Sequence, residues 1–120
     1  MTWYQTKSKY KNISSVYDGY YYASKLEAGH AQNLDLLKKA GKIKDWEKQV
    51  TIELGAYDCK GKYHKICNYR CDFKVFWVDG RITLEETKGL EMDTFKFKRK
   101  LLEEFYLPEH PEIDEYIVIK

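Results

Sequence analysis

Paired cysteines, a secretory leader, a long apolar run and a strong net charge are all missing from this 120-residue chain. Its three cysteines are an odd number, and the opening residues MTWYQTKSKYK hold no apolar core of the kind secretion needs. A cytoplasmic protein with free thiols is therefore expected. No apolar run approaches the ~20 residues that span a bilayer, so no membrane partner is expected. Cys59, His64, Cys67 and Cys71 can be set out as zinc ligands, but their spacing forms no paired C-x-x-C knuckle. Cys71 also alternates with Tyr69 and Phe73 as a core residue would. Net charge is +2, too small to announce nucleic-acid binding by itself.

What is present suits one small α/β domain. Hydrophobic residues make up 43% of the chain, enough for a core, and 11 tyrosines and 3 tryptophans serve cores, stacking platforms and interfaces alike. Charge is unevenly spread. Lys7, Lys9, Lys11 and Lys25 face only Asp18 in the first 26 residues, and Lys96, Lys98, Arg99 and Lys100 form a second basic cluster. Both clusters are compatible with a phosphate backbone, although charge runs are more often solvated faces. Residues 1–16, lysine-rich and without apolar periodicity, read as a basic arm preceding a folded domain over 17–120.

Ser24-Lys25-Leu26-Glu27 fits a capping box and opens a helix. Leu26, His30, Leu34, Leu37 and Ala40 supply its predicted buried stripe, and Gly41 its C-cap. His30 reads as packing, and Glu27 as a cap. A strand follows over 43–54 with Trp46 buried, then a loop over 55–68. Tyr69 to Gly89 reads as a β-hairpin around Asp79-Gly80. Asp93 or Thr94 can cap a second helix to about Tyr106, with Phe97, Leu101, Leu102 and Phe105 on its apolar side. Pro108 and Pro111 end it, and residues 113–119 form a last strand. The order is αβββαβ, and the helix before the last strand permits a parallel crossover and a mixed sheet.

The hairpin carries the chemistry. Glu86 and Lys88, two apart on a strand, point to one face. Asp72 joins them only if the loop has an odd length or a bulge intervenes. A two-residue loop of Asp79 and Gly80 sets Asp72 against Thr87. A three-residue loop, Val78-Asp79-Gly80, sets it against Glu86, with Gly80 in the left-handed position. Two carboxylates can hold a divalent cation, and a lysine beside them can steer a water or a phosphate. An exposed Glu-Lys strand pair is the plainer reading of Glu86 and Lys88. Asp72 is harder to dismiss, because aspartate is depleted in strand interiors. Gln49 is a possible accessory residue.

The segments SKLEAGHAQNLDLLKKAGKI, YRCDF, DGRITLEETKG and HPEIDEYIVI, in that order, resemble the PD-(D/E)xK nuclease superfamily, and within it the phage endonuclease I type of Holliday junction resolvase. The chain is also similar to a family of small uncharacterised phage proteins sharing DG-x-x-x-x-SK-x-EA and Y-x-x-DF. The likeness spans roughly residues 18 to 119. It departs from the superfamily's motif in having Cys71, not proline, before Asp72.

This resemblance implies a restriction-endonuclease-like mixed sheet flanked by helices, and a phage-encoded or prophage protein in a bacterial cytoplasm. It implies Asp72, Glu86 and the backbone carbonyl of Thr87 as ligands of Mg2+ or Mn2+, with Glu27 reaching in from the first helix. Lys88 would orient or help deprotonate the attacking water. The implied activity is metal-dependent hydrolysis of DNA phosphodiester bonds, in branched DNA such as a Holliday junction, by a homodimer. Lys7, Lys9, Lys11, Lys25, Lys96, Lys98 and Lys100 would track backbone phosphates. Nicking, flap or single-strand nucleases, or a non-catalytic DNA- or partner-binding module, are the alternatives.

Overall fold

The computed structural model describes residues 15–89 and 91–120. The expected arm therefore lies almost wholly outside the described residues, Lys7, Lys9 and Lys11 included. Its last two positions already belong to β1 (Ser15–Tyr17), which pairs with β2 (Tyr20–Tyr22) in a small separate hairpin. Then come α1 (Lys25–Lys39), β3 (Ile43–Tyr57), β4 (Tyr63–Trp77), β5 (Ile82–Thr87), α2 (Asp93–Leu101) and β6 (Glu115–Ile119). Strands β3, β4, β5 and β6 form one sheet in that order. Its first two pairings are antiparallel and β5–β6 is parallel. The fold is mixed α/β, and from α1 onward the order is αβββαβ. No helix among the described residues is long and apolar enough to cross a membrane.

Local chemistry sets both ends of α1. Ser24 accepts a hydrogen bond from the Glu27 amide at 3.1 Å, and Glu27 Oε2 accepts from the Ala23 amide at 2.9 Å. This is a capping box whose return bond falls one residue early. At the other end Gly41 takes φ 76°, and the amides of Gly41 and Lys42 bond the carbonyls of Lys38 and Leu37, a Schellman closure. The buried face is Glu27, Ala28, Ala31 and Leu34, rotated from the predicted stripe. Leu26, His30 and Leu37 are half-buried and Ala40 is exposed. Two alanines let the helix sit close to the sheet, and that rotation turns Glu27 inward.

The loop expected over residues 55–68 is instead the far end of a long hairpin. β3 and β4 pair as far as Tyr57 and Tyr63, whose rings meet edge-on at 5.4 Å. The turn is closed by Asp58, whose Oδ1 accepts from the amides of Lys60 and Lys62. This end is exposed on both faces, so no apolar alternation marked it as strand. Along the hairpin, one row of alternate residues serves two cores. Trp46, Phe73 and Val75 pack with Tyr22, Ala31 and Leu34 of the β2–α1 layer. Beyond Gln49 and Asp72, residues of the same row (Val50, Ile52, Leu54, Tyr69 and Cys71) pack with Phe95, Leu101 and Leu102. Gln49 has φ 53°, a strained left-handed conformation, and the rung Gln49–Asp72 is missing from an otherwise in-register stretch. The strand twist that carries the row from one core to the other is concentrated there.

The β4–β5 register takes the odd-loop form. Phe76 pairs with Ile82 and Phe73 with Glu85, Trp77 bonds Arg81 across a loop of Val78, Asp79 and Gly80, and Gly80 has φ 96°. The next rung down sets Asp72 against Glu86. α2 is shorter than expected. Met92 is its N-cap, and neither Asp93 nor Thr94 supplies a side-chain cap. Residues 102–106 form a π-helical turn and 107–109 a 3₁₀ turn around Pro108. Within α2 Phe95 and Leu101 are buried and Phe97 is exposed. Beyond it the wider turn shifts the apolar face, burying Leu102 and leaving Phe105 exposed. Trp46 is half-buried, its Nε1 donating to Asp35.

A Cβ on Gly80 would meet open space, so only the backbone conformation resists a side chain there. Gly80→Ala is expected to lower stability by about 1–2 kcal/mol in urea unfolding. A variant as stable as the parent would contradict the left-handed turn.

Candidate functional site

Ladder bonding between β4 and β5 runs out at Phe73–Glu85, and the Asp72 side chain takes over from the backbone. Asp72 Oδ2 accepts from both the amide and the hydroxyl of Thr87, at 2.9 and 2.7 Å. Asp72 is also hydrogen-bonded to the carboxyl groups of Glu27 and Glu86. Lys88 acts electrostatically on both glutamates, and its ammonium lies 4.8 Å from the Phe95 ring centroid. Side chains from α1, β4 and β5 thus meet in a recess of about 90 Å³. Ala23, Ser24, Glu27, Asp72, Thr87 and Lys88 line it. A larger groove of about 660 Å³, lined by Glu53, Tyr57, Tyr63, Phe105, Tyr106 and His110 among others, lies by the hairpin tip. It gathers no comparable set of interacting acids.

Glu86 is 2% exposed and Glu27 4%, and both hold their protons far more tightly than free carboxyl groups. Burial is the main cause for Glu86, whose pKa is pushed up to about 9, helped by the hydrogen bond and charge of Asp72. The same causes push Glu27 up to about 7, with the Ala23 amide and Lys88 pulling the other way. Behind Glu86 the Tyr69 hydroxyl donates to Oε1 at 2.5 Å and shares a 2.9 Å bond with the Tyr116 hydroxyl of β6. Burial raises the pKa of both tyrosines and pushes the Cys71 thiol up to about 12.

Adjacent Glu85 points into the opposite core. Its Oε1 lies 2.6 Å from His30 Nε2, and its Oε2 accepts from Thr83, which in turn accepts from Trp77 Nε1. His30 packs edge-on against Phe73 at 5.0 Å, so its packing role includes a hydrogen-bond partner, Glu85, that the sequence did not suggest. Both glutamates of β5 are buried, and neither belongs to an exposed strand pair.

The four residues singled out as catalytic, Glu27, Asp72, Glu86 and Lys88, are brought together. Thr87 meets Asp72 through its amide and hydroxyl. Lys25 stands exposed at the start of α1. On α2, Lys100 pairs with Glu104, and Lys96, Lys98 and Lys100 do not line the recess. Gln49 is exposed and its Oε1 accepts from Arg70 at 3.5 Å, away from the acids. Among the described residues no three His, Cys, Asp or Glu side chains are set out to hold a metal ion. The carboxyl oxygens of the recess are turned to protein donors and to one another. Three neighbours of the site were missed: Tyr69, Tyr116 and Lys48. Tyr69 sits three residues before Asp72 in YRCDF, a possible signal; Tyr116 and Lys48 arrive through strand pairing that no local pattern announces.

Residues 7–115 match the family model described as "Protein of unknown function (DUF1064)", and the chain belongs to that family. There is no match to a curated protein and none to a solved structure.

A group whose folded-state pKa is raised contributes stability that is full below its unfolded value and lost as pH rises through the folded one. For Glu27 and Glu86 that window runs from about 4.5 through about 7 and about 9. In EDTA the urea midpoint is therefore expected to fall from pH 5 to pH 9. Glu86→Gln, neutral at every pH, should flatten the fall above pH 7. A slope unchanged in that variant would contradict a protonated Glu86.

Proposed function

We propose that this DUF1064 protein is a divalent-metal-dependent DNA endonuclease cutting phosphodiester bonds in branched DNA. The observation that carries the reading is the convergence of Glu27, Asp72 and Lys88 on one recess, with the buried Glu86 held against Asp72 behind them. Their order along the chain resembles the PD-(D/E)xK nucleases, and the mixed sheet with a helix on either side suits a restriction-endonuclease-like fold. On that resemblance the protein would be phage-encoded and work in the cytoplasm of a bacterial host. Resolving a four-way junction takes two cuts, so a homodimer with two sites follows.

The donor set fits a hard cation. It is all oxygen and crowded with acid, and burial together with the neighbouring Asp72 raises the proton affinity of Glu27 and Glu86 against the pull of Lys88. Asp72, Glu86, Glu27 and the Thr87 carbonyl would hold Mg2+ or Mn2+, displacing the protons now shared among the acids. When bound, such an ion polarises a phosphate oxygen and makes water more acidic.

The residues themselves do the positioning. Thr87, with two donors on one oxygen, fixes the Asp72 carboxylate. Tyr69 and Tyr116 fix Glu86. Lys88, whose charge acts on Glu27 and Glu86 and whose ammonium lies by Phe95, would orient the attacking water and neutralise charge gathering on the phosphate. Lys25, Lys96, Lys98 and Lys100, together with the lysines of the arm, would meet flanking phosphates, so affinity should fall steeply with salt. The inward-turned carboxyl groups favour one other reading, a DNA-binding module of the same architecture without turnover.

Incubation with four-way junction, flap, single-stranded and duplex DNA in Mg2+ or Mn2+ separates these readings. Junction cleavage is expected, lost in EDTA and reduced at least about 100-fold by Asp72→Asn or Lys88→Ala. Cleavage at the parental rate in either variant would sink the enzymatic reading. Binding without cleavage of any substrate would leave the module.

A further inference from the structure

The β1–β2 hairpin turns through Asp18 and Gly19, both at positive φ, 52° and 77°, as a type I′ turn requires. A two-stranded ribbon is marginal alone, and this one is fastened to the body at two points. Tyr22 is buried at 1% exposure in the α1-side core, and the Tyr17 hydroxyl donates to Asp35 Oδ2 at 2.6 Å. Tyr20 is thereby held on the surface, 53% exposed. The chain runs from it through Ala23 and Ser24, which line the carboxylate recess.

Lys48 of β3 lies over this tyrosine. Its ammonium is 2.9 Å from the Tyr20 ring centroid and 5.6 Å from that of Tyr22, a cation–π arrangement. Lys48 pairs across the sheet with Phe73, the neighbour of Asp72, and its charge reaches Glu27. Glu27 therefore feels two lysines, Lys48 of β3 and Lys88 just after β5. A strand approaching the acids would meet both cations.

We propose that Tyr20 and Lys48 form a nucleotide shelf at the mouth of the recess. Lys48 takes the phosphate beside the one being cut, and Tyr20 stacks an unpaired base on the ring face that Lys48 leaves free. This rests on the nuclease reading and deepens it. A paired base inside a duplex has both faces covered by its neighbours, whereas an unpaired base can stack on an aromatic ring. The preferred substrate is then a strand with a splayed base next to the scissile phosphate, as at a branch point.

The test uses the full chain with Ca2+ in place of Mg2+ and a four-way junction carrying 2-aminopurine beside the branch point. Binding should quench its fluorescence severalfold. Tyr20→Ala and Tyr20→Leu should abolish the quench and weaken binding roughly tenfold, while Tyr20→Phe keeps both. Lys48→Gln should weaken binding severalfold and lower the salt slope by about one. Tyr57→Ala, at the far hairpin tip, should change neither. Tyr20→Ala or Tyr20→Leu protein that folds, quenches and binds like the parent overturns the shelf alone, whatever the cleavage result. Parent protein that binds none of the DNAs overturns the shelf and the nuclease reading together.

Discussion

The carboxylate of Asp72 holds this molecule together in more than one sense. It stands in a strand interior, where aspartate is disfavoured, at the rung where β4 stops pairing with β5. There it replaces a backbone carbonyl as acceptor for the Thr87 amide and takes the Thr87 hydroxyl as well. Without it a buried donor on β5 would lose its partner, a loss worth about 1–3 kcal/mol. The same side chain binds Glu27 and Glu86, tying α1 to the sheet through acids rather than through apolar contact.

Placing three acids side by side in a recess is workable because two of them hold protons. A neutral carboxyl group with hydrogen-bond partners is far cheaper to bury than an unpaired carboxylate. Glu85, one residue away, reaches the same end differently, by taking His30 and Thr83 as partners in the opposite core. β5 thus shows two solutions to a buried glutamate. One is closed by a dedicated partner. The other is held between Asp72 and Tyr69, where burial raises its proton affinity.

Much of this was legible in the sequence, for local reasons. Asp79-Gly80 marks the turn, and facing Asp72 to Glu86 required an odd loop or a bulge there, of which the structure takes the three-residue loop. Ser24 and Gly41 mark the ends of α1 through caps that depend on a few neighbouring residues. What was not legible depends on contacts between distant elements. The outer half of the β3–β4 hairpin is exposed on both faces, so residues 55–68 carried no alternation to distinguish strand from loop. Phe105 was assigned inward by a 3.6-residue period, which the π-helical turn at 102–106 breaks, while Phe97 falls on the outer side of α2, opposite the face that Phe95 and Leu101 bury. Lys48 reaches Glu27 only because β3 lies beside β4, and Tyr116 reaches Tyr69 only through the parallel crossover.

The break at Gln49 and Asp72 connects these points. One row of alternate hairpin residues packs with α1 on one side of that rung and with α2 on the other. The α1-side core carries Glu27. The α2-side core carries Tyr69 behind Glu86 and Phe95 beneath Lys88. The recess therefore lies on the seam between two cores, and each contributes part of it. A left-handed residue in mid-strand costs on the order of 1–3 kcal/mol, and a straight strand would avoid it. A straight strand would also leave the whole row facing one helix, and Glu27 and Glu86 would have no common neighbour. The strain at Gln49 is thus coupled to the meeting of the acids at Asp72.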